Sequence, residues 1–180
     1  MILKFKRIIA VVLIALLSIA IVAKPTKAAE MNFAVQAIIP SNQVDKTQTY
    51  FDLRMKPGQK QDIEVELRND TKRAVTIEIQ ANRSITNDNG VVEYNNSTKK
   101  KDPSLKVDFN EIAKVQKEAT LKPGTSQRVK VHLKMPQEKF DGIVLGGLYF
   151  TEKDEAKNDD KKKQKKVRLS INMLILSEFS

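Results

Sequence analysis

The sequence predicts an all-β protein, an immunoglobulin-like antiparallel β-sandwich preceded by a secretory signal peptide. Three observations carry this. First, a Lys-Pro-Gly turn followed by four polar residues and an alternating run occurs twice. Lys56-Pro57-Gly58 leads into Ile63-Glu64-Val65-Glu66-Leu67, and Lys122-Pro123-Gly124 into Val129-Lys130-Val131-His132-Leu133. Pro followed by Gly fits the two central positions of a type II turn, and period-2 alternation marks a strand with one buried and one wet face. Second, short alternating runs are punctuated by turn residues at regular spacing. Third, amphipathic helical periodicity is almost absent from the chain.

The N-terminus comes first. Met1 to Arg7 carries Lys4, Lys6 and Arg7, and Ile8 to Ala23 is apolar apart from Ser18. Lys24-Pro25-Thr26-Lys27-Ala28-Ala29 then ends in small residues, which completes the pattern of a cleavable signal peptide over residues 1–29. Cleavage after Ala28 puts Thr26 at the −3 position, and cleavage after Ala29 puts Lys27 there. The alternative is an uncleaved anchor, for which the apolar stretch is short against a span of about 20 residues. No Cys follows it to take a lipid. Membrane contact is therefore expected only through an uncleaved signal segment.

Residues 30–180 are expected to form one sandwich domain. Phe33 to Ile39 is a first strand stopped by Pro40-Ser41-Asn42-Gln43, and Tyr50 to Met55 is a shorter second. Ile63, Val65 and Leu67 face inward on the third. Asn69-Asp70-Thr71-Lys72 is turn chemistry, and Val75, Ile77, Ile79 and Ala81 alternate beyond it as a hairpin partner. Asp88-Asn89-Gly90 marks a turn and Val91 to Tyr94 a short strand. Phe109 to Val115 is either a helical turn or an irregular edge segment. Val129 to Met135 is a strand ended by Pro136.

Phe140 to Phe150 is nearly continuous apolar sequence, as in a strand buried on both faces, with an exposed ligand groove as the alternative. Its Gly146-Gly147 pair allows a bulge or a close backbone approach. Lys153 to Lys166 is a charged mobile loop: either a solvated spacer that keeps its flanking strands from aggregating, or an attachment point for anionic wall polymer. Val167 to Ile175 alternates as the last strand.

Charge and composition bound the function. Five of the 32 basic residues and none of the 22 acidic ones lie in 1–29, so removing that segment lowers the net charge from +10 to +5. An exported chain of that charge suits anionic wall polymer or lipid head groups rather than nucleic acid. The absence of Cys fits a Gram-positive surface protein, where disulfides are not required.

Catalytic chemistry is not legible, and no enzyme activity or cofactor is expected. The single His132 sits between Lys130 and Lys134 on an outward strand face, where cationic neighbours oppose a second positive charge. There is no His pair or Cys for zinc, and with Gly90 at position six an acidic calcium loop would place Asn96 where a bidentate Glu is needed. No metal site is expected.

Four segments line up in order: Phe33 to Gln43, Tyr50-Phe51-Asp52-Leu53 with its Lys-Pro-Gly turn, Glu64 to Asn69, and Phe140 to Leu148. Together they resemble the N-terminal domain of the WxL-interacting protein family of Gram-positive bacteria, over roughly Phe33 to Phe150. The resemblance implies a secreted, non-catalytic module at the cell surface that binds peptidoglycan and a WxL-domain surface protein. Such proteins usually continue into a second sandwich and a membrane helix, so a chain ending at Ser180 suggests a truncated gene product. The alternative is a chaperone-like or structural sandwich that pairs with another exported protein by strand addition. Polar groups within the resembling segments, Asn42, Gln43, Asp52 and Asp141, are the candidate ligand contacts. Asn42 and Asp141 suit turn capping equally well.

Overall fold

Period-2 burial runs through the long strands and sorts their side chains between a shared core and solvent. The computed structural model describes residues 32–95, 100–153 and 168–177, all within Met31–Ser180. The expected signal peptide and nearly all of the charged block lie outside them.

The first half of the chain forms β1 (Ala34–Ile38), β2 (Phe51–Met55), β3 (Lys60–Arg68), β4 (Val75–Arg83), β5 (Ile85–Thr86) and β6 (Val92–Glu93). A helical turn α1 (Phe109–Ile112) precedes β7 (Ala113–Val115), β8 (Glu118–Leu121), β9 (Ser126–Lys134), β10 (Ile143–Glu152) and β11 (Arg168–Ser177). One sheet runs β1-β3-β9-β7 and the other β2-β11-β10-β4-β8, with β5-β6 as a separate hairpin. Ile63, Val65, Leu67, Val129, Val131 and Leu133 of the first sheet share one buried cluster with Phe51, Leu53, Ile77, Leu148 and Phe150 of the second. Burial of these side chains supplies the main stabilising term, about 25 cal/mol per Å² of apolar area.

Both Lys-Pro-Gly segments form the expected turns. Gly58 and Gly124 sit at φ 72° and 66°, and Gln59 N–H and Thr125 N–H donate to the Lys56 and Lys122 carbonyls at 3.0 and 3.3 Å. The strands they launch, β3 and β9, are antiparallel neighbours, with Val65 opposite Val129.

The expected β3–β4 hairpin is not formed. β3 pairs with β1 and β9, whereas β4 pairs with β10 and β8, so Asn69 to Lys72 carries the chain from one sheet to the other. Alternation says which face is buried, and both strands bury the same face type across the core. Asn69, 0% exposed, directs the crossing. Its Nδ2 donates to the Arg73, Leu121 and Lys122 carbonyls at 2.8, 3.3 and 3.1 Å, and its N–H donates to the Thr125 carbonyl at 3.0 Å. The buried amide therefore clasps the second Lys-Pro-Gly turn.

Further differences are local. β2 runs parallel to β11, with Leu53 beside Ile175, whereas the other ladders among the described residues are antiparallel. The segment left open at 109–115 takes both forms in succession: Asp108 caps the helical turn by accepting from Asn110 N–H at 3.0 Å, and β7 follows as a sheet edge. β10 is buried on both faces only from Gly146; Ile143 and Leu145 at its start are 53% and 39% exposed. Its register to β4 and β11 runs unbroken through Gly146-Gly147, so the glycines serve close approach rather than a bulge.

Candidate ligand-binding cleft

The alternation of β4 puts Val75, Ile77 and Ile79 on the buried face, and the same period places Arg83 there too. A cation on a core-facing position needs a partner, because removing an unpaired charge from water costs several kcal/mol. Asp108, 3% exposed at its side chain, supplies it at 3.0 Å from Arg83 Nε. Arg83 in turn lines a cleft of about 570 Å³.

The segment Phe140 to Val144 forms one side of the cleft, Arg83 to Thr86 a second, and the stretch from Lys100 to Val107 a third. Its lining mixes apolar Phe140, Leu105 and Ile143 with cationic Lys100 and Lys106 and anionic Asp102 and Asp141. Asp102 is held below the ordinary carboxylate range by the Ser104 hydroxyl and then by the Ser104 N–H, at 2.7 and 2.8 Å. Apolar surface beside charges of both signs suits a ligand with alternating apolar and ionic groups. Among the described residues no group of three or more His, Cys, Asp or Glu is placed to hold a metal ion, and no helix is long and apolar enough to cross a membrane.

Of the four residues singled out from sequence, Asp141 lines this cleft. The other three gather at the junction of β2 with the preceding loop. Asn42 and Gln61 exchange side-chain amide bonds at 2.8 and 2.7 Å. Gln43, 5% exposed, donates through Nε2 to the Asp45 and Tyr50 carbonyls and accepts Asp52 N–H at 3.0 Å, while Val44 N–H donates to the Asp52 carbonyl at 2.7 Å. These contacts close the outer edge of β2. Asp52 Oδ1 is buried without a hydrogen-bond partner. At the other side of that sheet, Asn110 Oδ1 accepts Arg83 N–H at 2.6 Å beyond the end of β8, capping β4 in the same manner.

Sequence reasoning passed over Arg83, although a charge on the inward register of an alternating strand is a visible signal. His132 lies exposed between Lys130 and Lys134 as expected, and the register adds Asp62 opposite it, with Nδ1 2.7 Å from Asp62 Oδ1.

No curated protein matches the chain. Among solved structures, the chain is similar to a PapD-like domain of human CEP192 at 14% identity, covering 88% of this chain and 94% of that one with a TM-score of 0.46. It is similar to the Acinetobacter baumannii CsuC–CsuE chaperone–tip adhesion subunit complex at 12% identity, covering 82% and 58% with a TM-score of 0.47. A family 123 glycoside hydrolase from Clostridium perfringens matches at 8% identity over 82% of this chain and 27% of that one, with a TM-score of 0.49. The family model described as WxL Interacting Protein, peptidoglycan binding domain, matches residues 33–152, which span β1 to β10 and all three sides of the cleft. The chain belongs to the WxL Interacting Protein family, through its peptidoglycan binding domain.

Proposed function

We propose that this protein is a non-catalytic module of the Gram-positive cell surface that binds peptidoglycan and associates with a WxL-domain surface protein. The family match over residues 33–152 carries the reading. The signal-like N-terminus supports export. The cleft is the proposed contact for the stem peptide. Its Lys100 and Lys106 would meet peptide carboxylates, Asp102 and Asp141 a free amine, and Phe140 and Ile143 the small apolar side chains. Asp141 is thus the sequence-derived candidate that this proposal retains as a ligand contact. Asn42 and Gln43 act in it as builders of the β2 edge.

Titration of the isotope-labelled mature chain with soluble disaccharide-peptide fragments tests the cleft by NMR. The proposal expects saturable shifts at Ser84, Lys106 and Asp141, lost in Asp141→Lys with Lys106→Glu. Spectra unchanged at all fragment concentrations would contradict it.

A further inference from the structure

The outer face of the β10 sheet holds an uncharged island in a chain that is 30% charged. Cross-strand register sets Asn82, Gly147 and Asn172 in one row and Gln80, Tyr149 and Ser170 in the next. Gly147 has no side chain, and the ring of Tyr94 occupies the space: a Cβ at Gly147 would stand 2.8 Å from Tyr94 Cγ. Two of the chain's three tyrosines therefore lie side by side on this face, because residues two apart on a strand are about 7 Å apart. Glu78, Thr151 and Arg168 bound the island at one end, and Leu145 with Leu174 bound it at the other.

A side-chain hydrogen bond also ties Tyr94 to β4. Asn82, 1% exposed, donates Nδ2 to the Tyr94 carbonyl at 2.9 Å and more weakly to Gln80 Oε1 at 3.5 Å. The first bond fixes the tyrosine backbone, and the second leaves Gln80 Nε2 without a hydrogen bond among the described residues. Burial pushes the Tyr94 phenol above its ordinary pKa, as expected of a ring packed against backbone. Tyr94 and Tyr149 are both half-buried, and neither hydroxyl has a hydrogen-bond partner among the described residues. Gln80, Ser170 and Asn172 are exposed beside them.

We propose that this face is a glycan platform, on which Tyr94 and Tyr149 stack against the apolar faces of neutral N-acetylated sugar rings while Gln80 and Asn172 hydrogen-bond their hydroxyl and acetamido groups. The inference rests on the peptidoglycan reading and names the glycan strand as the moiety held here. Aromatic faces carry a negative quadrupole that attracts the polarised C–H bonds of a sugar ring, and side-chain amides offer both donors and acceptors. The six paired positions of the island carry no charge, so stacking and amide hydrogen bonds are its own chemistry, while Lys114 and Lys117 share a groove with Gln80 and Asn82 at the edge of β4.

The probe is a β-1,4-linked N-acetylglucosamine tetramer, which lacks peptide and charge. The chain has no Trp, so tyrosine fluorescence reports binding directly. We expect a saturable change that survives high salt, with affinity falling at least tenfold in Tyr149→Ala and several-fold in Gln80→Ala. Both residues face outward, so melting temperatures should stay near that of the parent, and Tyr149→Phe should retain most of the stacking. No response from the parent chain, or full affinity in both variants, overturns the platform. Intact peptidoglycan sacculi assayed in parallel separate the two levels: co-sedimentation without tetramer binding sinks the platform alone, and failure of both sinks the peptidoglycan reading as well.

Discussion

Gly146 lies directly against the ring of Phe109, and a Cβ added to it would stand 2.0 Å from Phe109 Cγ. Phe109 is 1% exposed, so the ring has no room to retreat. Gly146→Ala should therefore destabilise the fold by about 1–3 kcal/mol or more through overpacking. Gly124→Ala offers the contrast. Nothing lies within 4 Å of a Cβ there, but φ is +66°, so the cost is the roughly 1–2 kcal/mol of a left-handed conformation. Urea midpoints of the two variants test the distinction; equal stability of Gly146→Ala and parent would contradict the close packing.

Asn69 provides a second prediction. Replacement by Ala removes the donor shared by the Arg73, Leu121 and Lys122 carbonyls at the sheet crossing, of which Lys122 keeps the Thr125 N–H and hydroxyl. The expected cost is roughly 2–3 kcal/mol. Asn69→Asp keeps the acceptor that receives the Thr71 N–H at 2.9 Å and loses the donor, so it should be impaired nearly as much as Asn69→Ala.

The Arg83–Asp108 pair beside the cleft predicts strong non-additivity. Asp108→Ala removes the carboxylate 3.0 Å from the largely buried Arg83 Nε and should cost about 3–5 kcal/mol. Arg83→Met with Asp108→Leu removes both charges and should be less destabilised than the sum of its single variants. A double-mutant cycle measured by urea unfolding gives the coupling directly.

Titration supplies the fourth. The Asp45 carboxyl is held low by the Thr47 hydroxyl at 2.6 Å, then by Gln48 Nε2 and the Thr47 N–H, both at 2.9 Å. Asp102 is held low by Ser104. A depressed folded-state pKa contributes stability that is present above the unfolded value of about 3.9 and lost as pH falls through the folded value. Lys153 is shifted the other way by its bond to Glu118, so its contribution is present below the unfolded value and lost as pH rises. Unfolding midpoints of Asp45→Asn and Asp102→Asn should fall less steeply than the parent's on acidification below about pH 4. Parallel curves would contradict the assignment.

Much of this architecture follows from local rules. The inward faces of β3 and β9 and the two Lys-Pro-Gly turns are each fixed by a few adjacent residues. Neighbour and direction are not local properties. Nothing in the spacing of Leu53 reveals that its strand lies parallel beside Ile175, or that Asn69 crosses between sheets to hold a turn beginning at Lys122. The site divides in the same way. Arg83 is legible because a charge falls on a buried period. The placing of Tyr94 depends on Gly147, a residue that announces only that something comes close.

Co-sedimentation of the purified mature chain with insoluble peptidoglycan stripped of anionic polymer tests the central claim most directly. Binding to the polymer itself predicts that the chain pellets at low and high salt alike, because the contacts are apolar and hydrogen-bonded as well as ionic. Attraction through lysines alone would be screened as the Debye length shrinks to about 3 Å near 1 M salt. A chain that stays in the supernatant at every salt concentration, or pellets only at low salt, would contradict the assignment.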